Sequence, residues 1–241
     1  MLKIDNVSVK RGRVLTLNNV SLSLPAGRTL AVVGESGAGK STLIAAVLGL
    51  IKLTSGSITW CDDDVSLCRP SLVMQEPRAA FNPVLSIRQT ILEPLTARDM
   101  KPVPGKLEAL CKQLELPADL LNRRPGEISI GQAQRAGIIR ALINTPPLVL
   151  FDEPLSALDA VTQKHTAQLI SDLQAEHGFA ALIVTHDLGY AAAYGDEIAV
   201  LRAGHLEEVT QASDFIMAPG TDYGCTLRDA AVALGALEQT V

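Results

Sequence analysis

The chain has 241 residues, of which 47% are hydrophobic but only 3% aromatic, and its formal net charge is -5. This length suits one well-buried α/β domain with an aliphatic core, so we expect a single domain over residues 1–241. The acidic balance provides no basic surface for nucleic acid, and we expect no nucleic-acid partner. No apolar run approaches the ~20 residues that span a bilayer, and the first residues do not resemble a signal peptide, so we expect a soluble, cytosolic chain.

The N-terminal part of the chain alternates between apolar and polar residues and then becomes continuously apolar. Two alternating runs at 2–9 and 17–24 predict strands of an antiparallel layer. A buried strand is predicted over 29–33, followed by a glycine-rich loop and a helix over 42–50. Two further short strands are predicted after that helix, at 55–60 and 71–74.

The middle of the chain, residues 84–145, changes to helical periodicity, with a Pro/Gly-rich break near its centre. We expect this segment to form a helical subdomain inserted in the single domain. Strands are then predicted at 148–151 and 180–186 around a helix at 160–177, before a final pair that meets at Gly204. Alternating strands and helices predict a mostly parallel sheet covered on both faces, which binds ligands at the carboxyl ends of its strands.

The strongest motif is GESGAGKST, which has the spacing G-x-x-x-x-G-K-[ST] between the strand at 29–33 and the following helix. Its glycines allow backbone N–H groups to converge on phosphate oxygens, and the positive end of the helix dipole adds to the attraction. Lys40 would reach the β- and γ-phosphates, and Ser41 would ligate Mg²⁺. The predicted nucleotide-binding residues of this loop are Gly34, Glu35, Ser36, Gly37, Ala38, Gly39, Lys40, Ser41 and Thr42.

Two carboxylates, Asp152 and Glu153, follow the apolar strand at 148–151, where a phosphate-loop protein keeps its second acidic element. Asp152 would hold the Mg²⁺ shell, and Glu153 is the candidate general base that polarises water. The alternative is a polar strand end before Pro154. His186 follows the next apolar strand, and taken alone it favours a structural role.

The order of these elements resembles the ATP-binding cassette family over nearly the whole chain. Gln75 in MQEP resembles the family's glutamine loop, and ISIGQAQR at 128–135 resembles its signature motif. SALD at 156–159 is similar to the D-loop, and THD around His186 is similar to the switch histidine. The resemblance implies a P-loop NTPase fold of the ABC ATPase type, with a mostly parallel sheet, an N-terminal antiparallel layer and a helical signature subdomain, and it implies ATP and Mg²⁺ as ligands.

The resemblance also implies roles for individual residues. Glu153, His186 and Gln75 are the catalytic set, with His186 against the γ-phosphate, and Mg²⁺ is held by Ser41, Gln75 and Asp152. Two cassettes would stack head to tail, so that the signature of one closes over the ATP of the other. The residues implied at that contact are Ser129, Ile130, Gly131, Gln132 and Asp159.

Two positions depart from the family pattern. Ile130 replaces the first signature glycine, and a β-branched residue there restricts the backbone and crowds a phosphate. We therefore expect a heterodimer with an unlike ATPase subunit and two unequal sites. Arg11 stands near the usual aromatic residue, and it either stacks on adenine as an additional ATP-binding residue or is a surface charge.

The stretch EPRAAFNPVLSI, with Asn82 and Pro83, resembles the dipeptide, oligopeptide and nickel importer subfamily, as do Pro219, Tyr223, Thr226 and Leu227 in the tail. The length resembles that of short nickel or metallophore members. The resemblance implies a peripheral subunit at the cytoplasmic side of the inner membrane, bound to two permease subunits and indirectly served by an extracytoplasmic solute-binding protein. The alternatives are a poorly hydrolysing, mainly structural cassette and a non-import cassette, including one acting in DNA repair, translation or export.

Overall fold

A computed structural model describes residues 1–237 of the chain. Its strands follow the apolar and alternating runs of the sequence. They are β1 (Leu2–Arg11), β2 (Val14–Leu24), β3 (Thr29–Val33), β4 (Ser55–Trp60), β5 (Asp63–Asp64), β6 (Ser71–Val73), β7 (Leu148–Asp152), β8 (Ala180–Val184), β9 (Glu197–Arg202) and β10 (His205–Gln211).

The helices lie between these strands and after the last of them. They are α1 (Lys40–Val47), α2 (Ile87–Thr96), α3 (Lys106–Gln113), α4 (Ile130–Leu142), α5 (Ala160–His177), α6 (Leu188–Tyr194), α7 (Ala212–Met217) and α8 (Asp222–Ala233). Within residues 1–237, no helix is long and apolar enough to cross a membrane.

A six-stranded sheet forms the centre, in the order β10-β9-β3-β8-β7-β6. All neighbouring pairs are parallel except β9 with β10, which form an antiparallel hairpin at the edge. Strands β3 and β8 are buried at every residue, as expected for parallel strands with both faces covered. Because β3, β7 and β8 are adjacent and parallel, their carboxyl ends bring three loops to one edge of the sheet.

The smaller sheet has the order β2-β1-β4-β5 and is antiparallel throughout. Alternate residues of its strands, including Leu2, Ile4 and Val20, are buried in one cluster with Leu43 of α1. The expected antiparallel layer is thus present, and its apolar face covers the helix that follows the phosphate loop.

Helices α2, α3 and α4 lie within the predicted segment 84–145. Ser86 and Ser129 cap α2 and α4, each in a capping box that satisfies backbone donors at the helix start. Apolar residues of these helices, such as Ile91 and Ile138, belong to the same buried cluster as Phe151 of β7. The helical segment is therefore anchored on the central sheet by a continuous aliphatic core.

Several element boundaries differ from the sequence expectation. The helix expected at 42–50 is α1, which begins at Lys40 and ends at Val47, because the loop glycines directly precede a helical turn. The strand expected at 180–186 ends at Val184, so His186 lies in the loop beyond it. Helix α5 has the expected bounds, whereas α8 was not expected.

Candidate functional site

The phosphate loop has a backbone that only glycine allows at two positions. Gly34 has φ 150° and Gly39 has φ 110°. A Cβ atom on Gly34 would lie 2.1 Å from the carbonyl oxygen of Leu201, and one on Gly39 would lie 2.7 Å from that of Thr16. The loop is therefore seated against β2 and β9, and a side chain at either glycine would displace it.

Lys40 begins α1 and extends its amino group back into the loop. Its Nζ donates to the carbonyl oxygens of Gly34 at 2.7 Å and Glu35 at 3.0 Å. Burial lowers the pKa of Lys40, although the carboxylates of Glu153 and Asp152 oppose this change. No side chain caps α1, so its first N–H groups and its dipole remain available for an anion.

Asp152 is the last residue of β7 and lies beside Ser41. Burial is the main reason that its pKa is raised, and Glu153 adds to the effect, whereas the Ser41 hydrogen bond and Lys40 lower it. A hydroxyl and a carboxylate are hard oxygen donors that suit Mg²⁺. Within residues 1–237, no three His, Cys, Asp or Glu side chains cluster as a metal site. A cation here would therefore take its remaining ligands from Gln75, water and phosphate oxygens.

Glu153 and His186 form a direct pair between the ends of β7 and β8. His186 Nδ1 lies 2.8 Å from Glu153 Oε2. Glu153 has a left-handed backbone, φ 48°, and its N–H donates to the Val184 carbonyl at 2.9 Å. The Glu153 side chain is 13% exposed whereas that of His186 is 67% exposed. The carboxylate is thus held in place, while the imidazole is open to a ligand.

Lys40, Ser41, Glu153 and His186 meet at one cavity of about 480 Å³ at the carboxyl edge of the sheet, whereas Asp152 does not line it. Its lining comprises Arg11, Thr16, Ser36, Gly37, Gly39, Lys40, Ser41, Thr42, Gln75, Glu153, Val184 and His186. The structure thus brings together all three predicted catalytic residues, most of the predicted phosphate loop and Arg11. Thr16 was missed, because a threonine in an alternating strand carries no binding signal in the sequence.

Three predicted loop residues, Gly34, Glu35 and Ala38, do not line this cavity. Glu35 and Ala38 instead line a smaller cavity of about 210 Å³, together with Arg202 and Tyr223. Arg202 carries no functional signal in the sequence, and Tyr223 is predicted only as part of the tail motif.

The five predicted signature and D-loop residues lie together at a different place. A cavity of about 430 Å³ is lined by Ser129, Ile130, Gly131, Gln132, Arg135, Ala157, Leu158, Asp159 and Thr162. This cavity shares no lining residue with the larger one. Asp159 caps α5 by accepting from the Thr162 N–H at 3.0 Å and from its hydroxyl at 2.7 Å, which lowers the Asp159 pKa.

Ile130 is the first residue of α4, and its side chain is at the surface, 44% exposed. Its backbone is helical, and it is absent from the residues with positive φ. In this helical conformation the position needs no positive φ, and the expected backbone restriction stays a prediction. The bulk of the side chain remains as the difference that Ile130 introduces into the signature cavity.

Comparison with known proteins identifies relatives of the chain. The family described as ABC transporter matches residues 17–156, which is more than half of the chain. The oligopeptide transport ATP-binding protein OppF of Escherichia coli is 37% identical over 207 residues, a match that covers 80% of this chain and 62% of OppF. The chain thus spans less than two thirds of the length of that relative.

Solved structures show the same fold. The dimeric ATP-binding cassette MJ0796, in a post-hydrolysis state bound to ADP and Pi, is 30% identical with a TM-score of 0.75, and the match covers 88% of this chain and 99% of that one. The cbiO1 protein of Clostridium perfringens, part of the transporter complex cbiONQ, is 22% identical with a TM-score of 0.80, covering 97% and 95% of the two chains. The expected fold class is confirmed.

Proposed function

Since this chain belongs to the ABC transporter family, we propose that it is the ATP-binding and ATP-hydrolysing subunit of an importer. The observation that carries the proposal is the division of the site between two faces of one chain. Lys40, Glu153 and His186 line one cavity, whereas the signature residues line another with no residue in common. One chain therefore holds two half-sites, and each requires its complement from a second cassette.

The phosphate side of the site would bind ATP through charge and backbone dipoles. Lys40 already has carbonyl partners at 2.7 and 3.0 Å, so its ammonium group is positioned within the loop before phosphate arrives. Ser41, Asp152 and Gln75 would hold Mg²⁺, which neutralises charge on the β- and γ-phosphates when bound. The uncapped start of α1 would add its dipole to the same anion.

Glu153 would accept the proton of the water that attacks the γ-phosphate. Its backbone is held by the N–H hydrogen bond to the Val184 carbonyl, and its carboxylate by the 2.8 Å contact with His186. When Nδ1 of His186 donates to Glu153, Nε2 remains for the γ-phosphate, and it donates when the ring is protonated. This pair is the specific observation against a purely structural, poorly hydrolysing cassette.

We assign the partners by the same reasoning. The second subunit would be another cassette, and the dimeric assembly of the related cassette MJ0796 supports such stacking. The bulk of Ile130 at the signature surface favours an unlike partner with unequal sites. Two permease subunits and, indirectly, an extracytoplasmic solute-binding protein would complete the importer, with this subunit peripheral at the cytoplasmic side of the inner membrane.

The transported solute belongs to the group of small peptides, nickel and related metal complexes. The peptide-transport name of the Escherichia coli relative supports a small peptide. The EPRAAFNPVLSI stretch, which resembles the dipeptide, oligopeptide and nickel importer subfamily, keeps nickel and metallophores as the alternative. Uptake of labelled peptide and of ⁶³Ni²⁺ by cells that carry the complete transporter distinguishes the two solutes.

The Glu153→Gln variant tests the proposed function. We expect it to bind ATP and to accumulate as an ATP-bound dimer with its partner, while turnover falls by roughly 10²- to 10⁴-fold, the contribution typical of a general base. The exposed carboxylate Glu207, changed to Gln, is the matched control and should leave turnover unchanged. Full turnover in the Glu153→Gln complex would reject Glu153 as the base, and absence of any ATP-dependent dimer would reject the composite site.

A further inference from the structure

The outer side of the phosphate loop faces the C-terminal part of the chain across a small cavity next to the nucleotide cavity. There the cavity of about 210 Å³ is lined by Glu35, Ser36, Gly37, Ala38, Arg202, Ala203 and Tyr223. The motif of the tail that contains Tyr223 has no role in the proposed chemistry. Tyr223 lies behind the phosphate loop, a position from which a side chain can support the loop.

Tyr223 and Arg202 form a stacked pair at this place. The guanidinium carbon of Arg202 lies 4.5 Å from the centroid of the Tyr223 ring, within the range of a cation–π contact. The Tyr223 residue is only 8% exposed. Its hydroxyl makes no hydrogen bond of normal geometry among residues 1–237, although it lies close to the backbone and the carboxylate of Glu35 in the phosphate loop. Burial raises the pKa of Tyr223, and the nearby carboxylate of Glu35 adds to the effect.

The hairpin between β9 and β10 holds the adjacent part of the loop. The Gly204 N–H donates to the Ala38 carbonyl at 2.9 Å, and the Gly204 carbonyl accepts from the Asn18 N–H at 2.8 Å. A Cβ atom on Gly204 would lie 2.8 Å from the Thr16 carbonyl oxygen, so the hairpin fits tightly. The loop thus has backbone support at Ala38, and Arg202 with Tyr223 extends that support towards Glu35.

Glu208 of β10 fixes the segment that carries Tyr223. Its carboxylate accepts from the Gly220 N–H at 2.6 Å and from the Thr221 hydroxyl at 2.8 Å. Thr221 in turn caps α8 by accepting from the Gly224 N–H at 3.0 Å. A Cβ atom on Gly224 would lie 1.8 Å from a Glu208 carboxylate oxygen, so the first turn of α8 is pressed onto the strand. Tyr223 is therefore held at a defined position.

We propose that Tyr223, stacked on Arg202 and anchored through Glu208, is a positioning residue that holds the outer limb of the phosphate loop in its anion-binding conformation. The proposal rests on the proposed function, since it concerns ATP binding by that loop. A loop with several positive-φ residues loses conformational entropy when it is ordered, and support from behind removes part of this cost before ATP binds. Loss of the ring should weaken ATP binding, whereas loss of the hydroxyl should not.

The test compares two substitutions of one residue in the full chain. Binding of Mg²⁺ and a fluorescent N-methylanthraniloyl ATP is measured by titration for Tyr223→Leu and Tyr223→Phe. We expect Tyr223→Leu to raise the Kd about tenfold, the equivalent of about 1.4 kcal/mol, and Tyr223→Phe to stay within about twofold of the parent chain. In the assembled ATPase, Tyr223→Leu should raise KM for ATP more than it lowers kcat.

The matched control is Phe215→Leu, which removes a fully buried ring from the same apolar cluster without touching the phosphate loop. It should lower Tm as Tyr223→Leu does, while leaving the Kd unchanged. An unchanged Kd in Tyr223→Leu, or an equal rise in Phe215→Leu, would overturn the positioning role and leave the proposed function intact. Failure of the parent chain to bind the nucleotide would overturn both.

Discussion

The phosphate-loop cavity and the signature cavity are built in different ways. In the first, Lys40 begins α1, and Glu153 and His186 follow β7 and β8; Lys40 and Glu153 are largely buried, and Glu153 contacts His186. In the second, Ser129 and Asp159 cap their own helices, and Ile130 lies at the surface. The phosphate-loop cavity has its charged groups positioned for a ligand by contacts within one chain. The signature cavity is a capped, stable surface whose function requires a second molecule.

Among the substitutions that test this difference between the two cavities, Lys40→Ala is expected to have the largest effect. Removal of the ammonium group that interacts with both loop carbonyls should lower ATP turnover by roughly 100-fold or more, because preorganised charge at the phosphates is lost. Steady-state ATPase of the assembled complex measures the change. Lys106→Ala, another lysine whose pKa is lowered by burial but which lies at a different cavity, serves as the control. Undiminished turnover would remove the phosphate face from the mechanism.

The signature face is tested by Ile130→Gly. Relief of crowding should increase hydrolysis at the site that receives this signature by about fivefold, or about 1 kcal/mol, within the range for removing an overpacked group. The other site, built on this chain's own phosphate loop, should not respond. Site-resolved turnover is measured in the double variant Ile130→Gly/Glu153→Gln paired with the partner cassette, because only the site that receives this chain's signature then keeps its base. Val161→Gly removes an exposed β-branched side chain near the start of α5 that does not line this cavity, and it should have no effect.

Arg11→Ala tests whether Arg11 binds ATP in the phosphate-loop cavity. Arg11 lines that cavity from the end of β1. If it stacks on adenine, its replacement by alanine should raise the Kd for ATP about two- to fivefold, the loss expected for an exposed cation–π contact. Arg13→Ala, in the same turn but outside the lining, is the control. Equal affinities for both variants and the parent would leave Arg11 as a surface charge.

The smallest expected effect is that of Asp152 on how the stability of the fold depends on pH. Burial raises the folded-state pKa of Asp152 above its ordinary value of 3.8, so the folded state binds more protons than the unfolded state between the two values. Stability of the parent chain therefore falls as pH rises through that window, and Asp152→Asn removes this loss. We expect the Tm of Asp152→Asn minus that of the parent to increase from pH 4 to pH 7 by a few degrees at most. Asp63→Asn, at an exposed position, should show no such increase, and a constant difference for Asp152→Asn would contradict the buried carboxylate.

Local pattern was sufficient for much of the fold. The apolar runs of β3, β7 and β8 and the helix α5 were found at or near their observed bounds, because continuous apolar runs and helical periodicity report burial directly. Helix α8 was missed, since its first turn depends on Glu208, a residue of another element. The helix cap at Ser129 sets a helical conformation at Ile130, and the backbone restriction expected there stays a prediction.

The sequence by itself determined the phosphate loop, the acidic pair Asp152 and Glu153, and the family, because each is written in contiguous residues at fixed spacing. Only the tertiary structure decided that His186 contacts Glu153, that the signature residues share no cavity with Lys40, and that Tyr223 stands behind the loop. These are contacts between residues far apart in the chain. They follow from the parallel order of the strands and the packing of α8, which no local pattern of residues encodes.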